Sequence, residues 1–209
     1  MHMDIPVWTF GHWRPHKRRH LPAHRNDGLE VVVVTRGRFT WMVDGRSETL
    51  GPGSAFFTLP WQEHGAPGGA MPGCALSYVV LPLRGSTALP PARLRFHPGL
   101  GLGLGRSEET AVFSALVASS RHAVPAPPRL AATLTHLVDE LAGAAPDRRA
   151  QVAALATTVV LDLARAVRVE ASDTSASAGA AARVRAFLDT LVATCDRPWT
   201  LAGMARRCG

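Results

Sequence analysis

The stretch HRNDGLEVVVVTRGRFTWMVDGRSETLGPGSAFFTLPWQEHG, residues 24–65, decides the fold. Its run from Glu30 to Thr35 is β-branched from Val31 onward, the kind of side chain a pleated surface accommodates best, and Arg36-Gly37 ends it. Phe39, Trp41 and Val43 then alternate with Thr40, Met42 and Asp44, the period of two expected of a half-buried strand. Asp44-Gly45 reads as a hairpin turn, because both residues tolerate positive φ. Glu48 to Leu50, the turn Gly51-Pro52-Gly53 and a strand from Ala55 to Leu59 follow, and Pro60 stops the last. Beyond a Gly- and Pro-rich loop (Gly65 to Gly73) comes one more strand, Leu76 to Leu81. Short antiparallel strands at this spacing predict a sandwich or a barrel.

The period changes downstream. Glu108 and Glu109 open a first helix, with Ala111, Ala115 and Val117-Ala118 along it. Leu130, Leu134, Leu137-Val138 and Leu141 mark an amphipathic helix with Gly143 near its end. Pro146-Asp147 opens a third, which carries Val152, Leu155, Ala156, Val159-Val160 and Leu163 on one side. The alternating glycines from Gly99 to Gly105 follow no strand and lack a phosphate-binding lysine, so they read as loop. Ser172 to Ala180 is Ser/Ala/Gly-rich without periodicity, which predicts a flexible linker. Val184, Phe187, Leu188 and Leu191 resume a helical stripe, Asp196-Arg197-Pro198 breaks it, and Thr200 is placed to cap a helix from Leu201 to Cys208 ahead of Gly209.

Composition sets the limits. The 209 residues are 46% hydrophobic and 19% charged, which fits a globular chain with one substantial and one smaller domain. No window is apolar enough to span a membrane, and the first 25 residues are too basic for an export signal, so a cytoplasmic location is expected. Cys74, Cys195 and Cys208 are odd in number and far apart, so free thiols are expected. The net charge of +7 favours a polyanionic partner, although Lys17 is the only lysine and the arginine excess also follows from a GC-rich coding sequence. His12, His16, His20 and His24 would align on a helix, but Pro15 and Pro22 interrupt it, so residues 12–25 read as a solvated basic arm.

The segment RPWTLAGMARRCG, residues 197–209, resembles the opening of the AraC/XylS-type helix-turn-helix. Ala205 would allow close helix packing and Gly209 the sharp turn. Independently, residues 24–65 resemble the cupin barrel that such regulators place ahead of their DNA-binding domain: His24, Glu30 and Gly37 fit its first block, Pro52-Gly53 and His64 its second. Asn26 departs from the pattern, standing where a second metal-binding His belongs. The resemblance implies an α+β chain in four parts. A cupin-like antiparallel β-barrel (1–105) binds effector, and an antiparallel helical region (106–170) dimerises. A linker (171–181) and the first helices of a helix-turn-helix domain (182–209) follow, with Thr200, Leu201, Ala205 and Gly209 at its start. The chain stops before any recognition helix, so specific DNA contact is expected only of a full-length protein.

Under the cupin alignment His24, Glu30 and His64 converge. Three readings stay open: a His₂Glu metal site with Asn26 as a weak oxygen ligand, polar groups of an effector pocket, or a purely structural cluster. Trp41 and Trp61 are candidates for stacking on a ligand, with Trp61, at the rim beside His64, the favoured of the two and a place in the barrel core the alternative for each. Val32, Val34 and Phe57 are expected to build the apolar part of the cavity. The reading is therefore a non-enzymatic, cofactor-free homodimeric regulator whose effector is a small polar molecule such as a sugar. The alternative is a metal-dependent cupin enzyme, a dioxygenase or isomerase, against which Asn26 counts.

Overall fold

The computed structural model describes residues 9–14, 19–71, 73–84, 94–194 and 198–208. His16, Cys195, the Asp196-Arg197 break and Gly209 lie outside the described residues. Contacts divide the chain into two compact units, Met1–Val167 and Arg168–Gly209.

The first unit contains the strands β1 (Thr9–Trp13), β2 (Arg19–His20), β3 (Gly28–Arg36), β4 (Phe39–Val43), β5 (Arg46–Leu50), β6 (Ser54–Thr58), β7 (His64–Gly65), β8 (Ala70–Met71), β9 (Ala75–Pro82) and β10 (Ala123–Pro125). They pair antiparallel into a five-stranded sheet in the order β1-β9-β3-β6-β10, a three-stranded sheet β5-β4-β7 and the pair β2-β8. The β4-β5 hairpin turns on Asp44 and Gly45 at φ 46° and 78°, the left-handed geometry that dipeptide favours.

β3 explains the valine run. Leu29, Val31 and Val33 pack into a core with the helices α1 (Arg106–Ala118), α2 (Pro128–Ala142) and α3 (Arg148–Ala193). Val32 and Val34, on the opposite face, join Phe39, Trp41, Phe56 and Leu76 in a second core between the sheets. A strand covered on both faces has no need of polar alternation. Leu130, Leu134 and Leu137 of α2 and Val159, Val160 and Leu163 of α3 are all 0% exposed, so each apolar stripe is buried within the unit. The carboxylate of Asp162 on α3, itself buried, meets Arg129 of α2 at 2.9 Å and Arg165 at 3.1 Å.

Three expectations change. The basic arm is partly sheet: residues 9–13 pair with β9 and residues 19–20 with β8, since an alternating TFGHW segment can continue an open sheet edge. The linker at 171–181 is helix, because α3 runs unbroken to Ala193. Its alanines have the highest helix propensity, and serine and aspartate on an exposed face cost only tenths of a kcal/mol, of the order of ~0.5 each. Phe57 belongs to the helix-facing core, and its neighbour Phe56 takes the place between the sheets.

In the second unit Thr200 Oγ1 accepts the Gly203 N–H at 3.1 Å and caps α4 (Leu201–Cys208). The Trp199 ring packs edge-on against Phe187 at 5.2 Å, its Nε1–H donates to the Thr194 carbonyl at 3.0 Å, and Arg183 Nε–H donates to the Cys208 carbonyl at 2.8 Å. Cys74 is a buried free thiol and Cys208 a half-buried one. No described helix is long and apolar enough to cross a membrane.

Candidate functional site

Register brings the first two groups together. Glu30 on β3 lies opposite Thr58 on β6, and Thr58 Oγ1–H donates to Glu30 Oε2 at 3.1 Å. β7 pairs with the end of β4 and sets His64 Nε2 3.0 Å from the same carboxylate oxygen. His24 and His64 also exchange backbone hydrogen bonds, both 2.9 Å. Gly65 permits this close approach, because a Cβ there would stand 2.7 Å from the Pro22 carbonyl oxygen.

Glu30 is 7% and His64 1% exposed, so the pair is buried. Burial opposes a charge on the imidazole, but the hydrogen bond and charge of Glu30, with the Gln62 carbonyl on Nδ1, outweigh it and raise His64 above its ordinary 6.5. As an imidazolium, His64 donates Nδ1–H to the Gln62 carbonyl at 2.9 Å and Nε2–H to Glu30. The Asn26 amide lies 3.1 Å from that Nε2.

Beside this pair is a cavity of about 170 Å³ between the sheets. Val32, Phe39, Trp41, Phe56, Leu76 and Tyr78 supply much of its wall, while His24, Asn26 and Glu30 give it one polar end. Trp41 stands edge-to-face with Phe39 at 5.7 Å and with Phe56 at 5.5 Å. Its Nε1–H is buried with no hydrogen-bond partner among the described residues. His24 donates Nδ1–H to the Pro22 carbonyl at 2.9 Å, and its ring lies 4.5 Å from that of His64.

His24, Glu30 and Trp41 thus meet at the cavity, with His64 directly behind Glu30. Trp61 is not among the lining residues. It packs half-buried against the helix-facing core, and its carbonyl accepts Arg25 Nε–H at 3.1 Å, because the turn after Pro60 carries its ring away from the sheet interior. The apolar wall also disagrees with a sugar as ligand. Most hydroxyls of a polyol would be buried without partners here, at about 1–3 kcal/mol each.

A metal does not fit this donor set. His64 Nε2 is engaged by Glu30, Asn26 occupies a ligand position, and among the described residues no three His, Cys, Asp or Glu are arranged to hold an ion.

Gln62 and His122 form a second arrangement that the sequence did not disclose, since its members are 60 residues apart. Gln62 Oε1 accepts the Leu59 N–H at 2.9 Å, and its Nε2–H donates to His122 Nε2 at 3.3 Å. Burial lowers the His122 value, more than the Glu48 charge raises it, so His122 is a neutral acceptor. Glu48 accepts the backbone N–H of His122 at 2.7 Å and of Ala123 at 3.0 Å. A chain of contacts therefore runs from Glu30 through His64 and Gln62 to His122, the residue before β10.

Residues 11–70 match the family model for the cupin domain. That segment spans β2 to β7 and most of β1 and holds His24, Asn26 and Glu30 of the cavity, while Thr9, Met71, Leu76, Tyr78 and Val80 of its lining lie outside it. The chain is also similar to the crystal structure of the AraC-like transcriptional activator CuxR, at 16% identity and a TM-score of 0.42, over 68% of this chain and 42% of that one. No curated protein matches it in sequence.

Proposed function

We propose that the chain is the ligand-sensing portion of an AraC-type transcription regulator, binding a small effector in the cupin cavity without turning it over. The observation that carries this reading is the cavity itself, a largely apolar space with His24, Asn26 and Glu30 at one polar end and the buried Glu30–His64 pair beside it. Large apolar walls with a few convergent polar groups are what a small-molecule site needs.

The order of parts supports the regulatory half of the proposal. A cupin domain is followed by packed helices and then by a capped helix whose sequence resembles the start of a helix-turn-helix. On this reading the regulator is a cytoplasmic homodimer that contacts DNA through its complete DNA-binding domain. Since the apolar stripes of α2 and α3 are buried within the unit, the dimer forms through the faces of these helices turned away from the sheet. Effector binding shifts the Glu30–His64–Gln62–His122 contacts and, through β10, the position of α2.

The test pairs two measurements on the complete regulator. A cavity ligand found by thermal shift is expected to change the mobility of the regulator on its own promoter DNA. Mass spectrometry of the ligand after prolonged incubation is expected to recover it unchanged. Turnover to a new product would make the protein an enzyme and overturn the proposal.

A further inference from the structure

The polar end of the cavity narrows the chemistry of its ligand. Both hydrogen bonds to Glu30 reach Oε2, and among the described residues none reaches Oε1. His24 has Nδ1–H committed to a carbonyl, and in that tautomer its Nε2 lone pair has no partner among the described residues. These are two acceptors in want of a donor. The Trp41 Nε1–H is a donor with no acceptor among the described residues. A hydroxyl group is both donor and acceptor in a single heavy atom, and it answers the two demands together.

Charge and size select further. The carboxylate of Glu30 and the imidazolium of His64 cancel, so neither a cationic nor an anionic ligand finds a net counter-charge to replace its hydration. An anion would also face the unpaired carboxylate oxygen. The volume of about 170 Å³ is close to that of an apolar protein cavity of ~150 Å³ that holds benzene, so it accommodates one ring and a short substituent.

We propose that the cavity takes a neutral, single-ring molecule bearing one hydroxyl group, a simple phenol or cyclic alcohol, with its ring against Trp41 and its hydroxyl donating to Glu30. This rests on the reading of the cavity as the effector site and names the effector's class.

Calorimetric titration of the 209-residue chain with phenol, cyclohexanol, benzene, benzoate, benzylamine and glucose separates the two ideas. Phenol and cyclohexanol are expected to bind about 10-fold or more tightly than benzene, the effect of one hydrogen bond to a charged group, and benzoate, benzylamine and glucose more weakly still. Trp41→Phe keeps the ring and removes the N–H, so it should weaken phenol several-fold and leave benzene unchanged. Benzene binding as tightly as phenol would overturn the hydroxyl while leaving the cavity as the effector site. Benzoate or benzylamine binding tightest would overturn the neutral class. No binding by any of the six would overturn both the class and the effector site.

Discussion

Removing either member of the Glu30–His64 pair should be far more damaging than removing both. At 3.0 Å the attraction between the two charges is about 5 kcal/mol for an effective dielectric of ~20, and the desolvation of two side chains only 9% and 0% exposed offsets much of it. His64→Leu leaves the Glu30 carboxylate buried with only the Thr58 hydroxyl, and Glu30→Met leaves a buried histidine with the Gln62 carbonyl and Asn26. Each is expected to cost about 3–5 kcal/mol. The double variant replaces both with apolar side chains of similar volume and should cost well under either single change, a coupling of at least ~3 kcal/mol. Urea denaturation followed by circular dichroism measures all four proteins of the cycle. A pH series adds an independent arm. Because the folded value of His64 is raised, its stabilising contribution is complete below 6.5 and is lost as pH rises through the higher folded value. Wild type should therefore lose this increment above pH 6.5, and the double variant should not. Single costs that simply add, with identical pH profiles, would refute the buried ion pair.

Other consequences follow from separate parts of the chain. Glu48→Ala removes the acceptor of two backbone N–H groups, so it should destabilise the first unit by about 2 kcal/mol in urea and raise hydrogen exchange at His122 and Ala123. Gly179→Ala should stabilise the second unit by up to ~1 kcal/mol, since a Cβ there meets only Arg183 Nη1 at 3.6 Å; an unchanged thermal midpoint would mean that residues 171–181 are a linker after all. Thr200→Ala removes the cap on α4 and should cost about 1 kcal/mol of local helix stability, read as faster exchange at Gly203 with no change in β3.

Much of the sheet was legible because its signals are local. The valine run, the Asp44-Gly45 turn and Pro60 each act within a few residues, and the strands lie where they indicate. β1 is hidden because five residues beside a basic run carry little pattern, and its partners on β9 are 63 to 71 positions away. The Ser/Ala/Gly segment misled because the same residues serve a linker and an exposed helix, and only the helical turns on both sides decide between them. At the site, parity along β3 correctly placed Glu30 and Val32 on one face. Parity along β6 was misjudged, which put Phe57 where Phe56 stands. Nearness to His64 in sequence points to Trp61, whereas Trp41 reaches the cavity through its place on β4. The His122 contact with Gln62 depends on tertiary packing alone and has no local signature.

The central claim, that occupancy of the cupin cavity controls transcription, is tested most directly by filling the cavity. Val32→Phe places a ring inside the space that Val32 now borders, without touching the Glu30–His64 pair, and Trp61→Ala alters a residue outside it. Both would be built into the complete regulator and read with a reporter fused to its promoter, in the presence of a ring alcohol that binds the wild-type chain. The account predicts that Val32→Phe abolishes the response to that compound while Trp61→Ala retains it. A full response in the Val32→Phe protein, with its fold intact by circular dichroism, would contradict it.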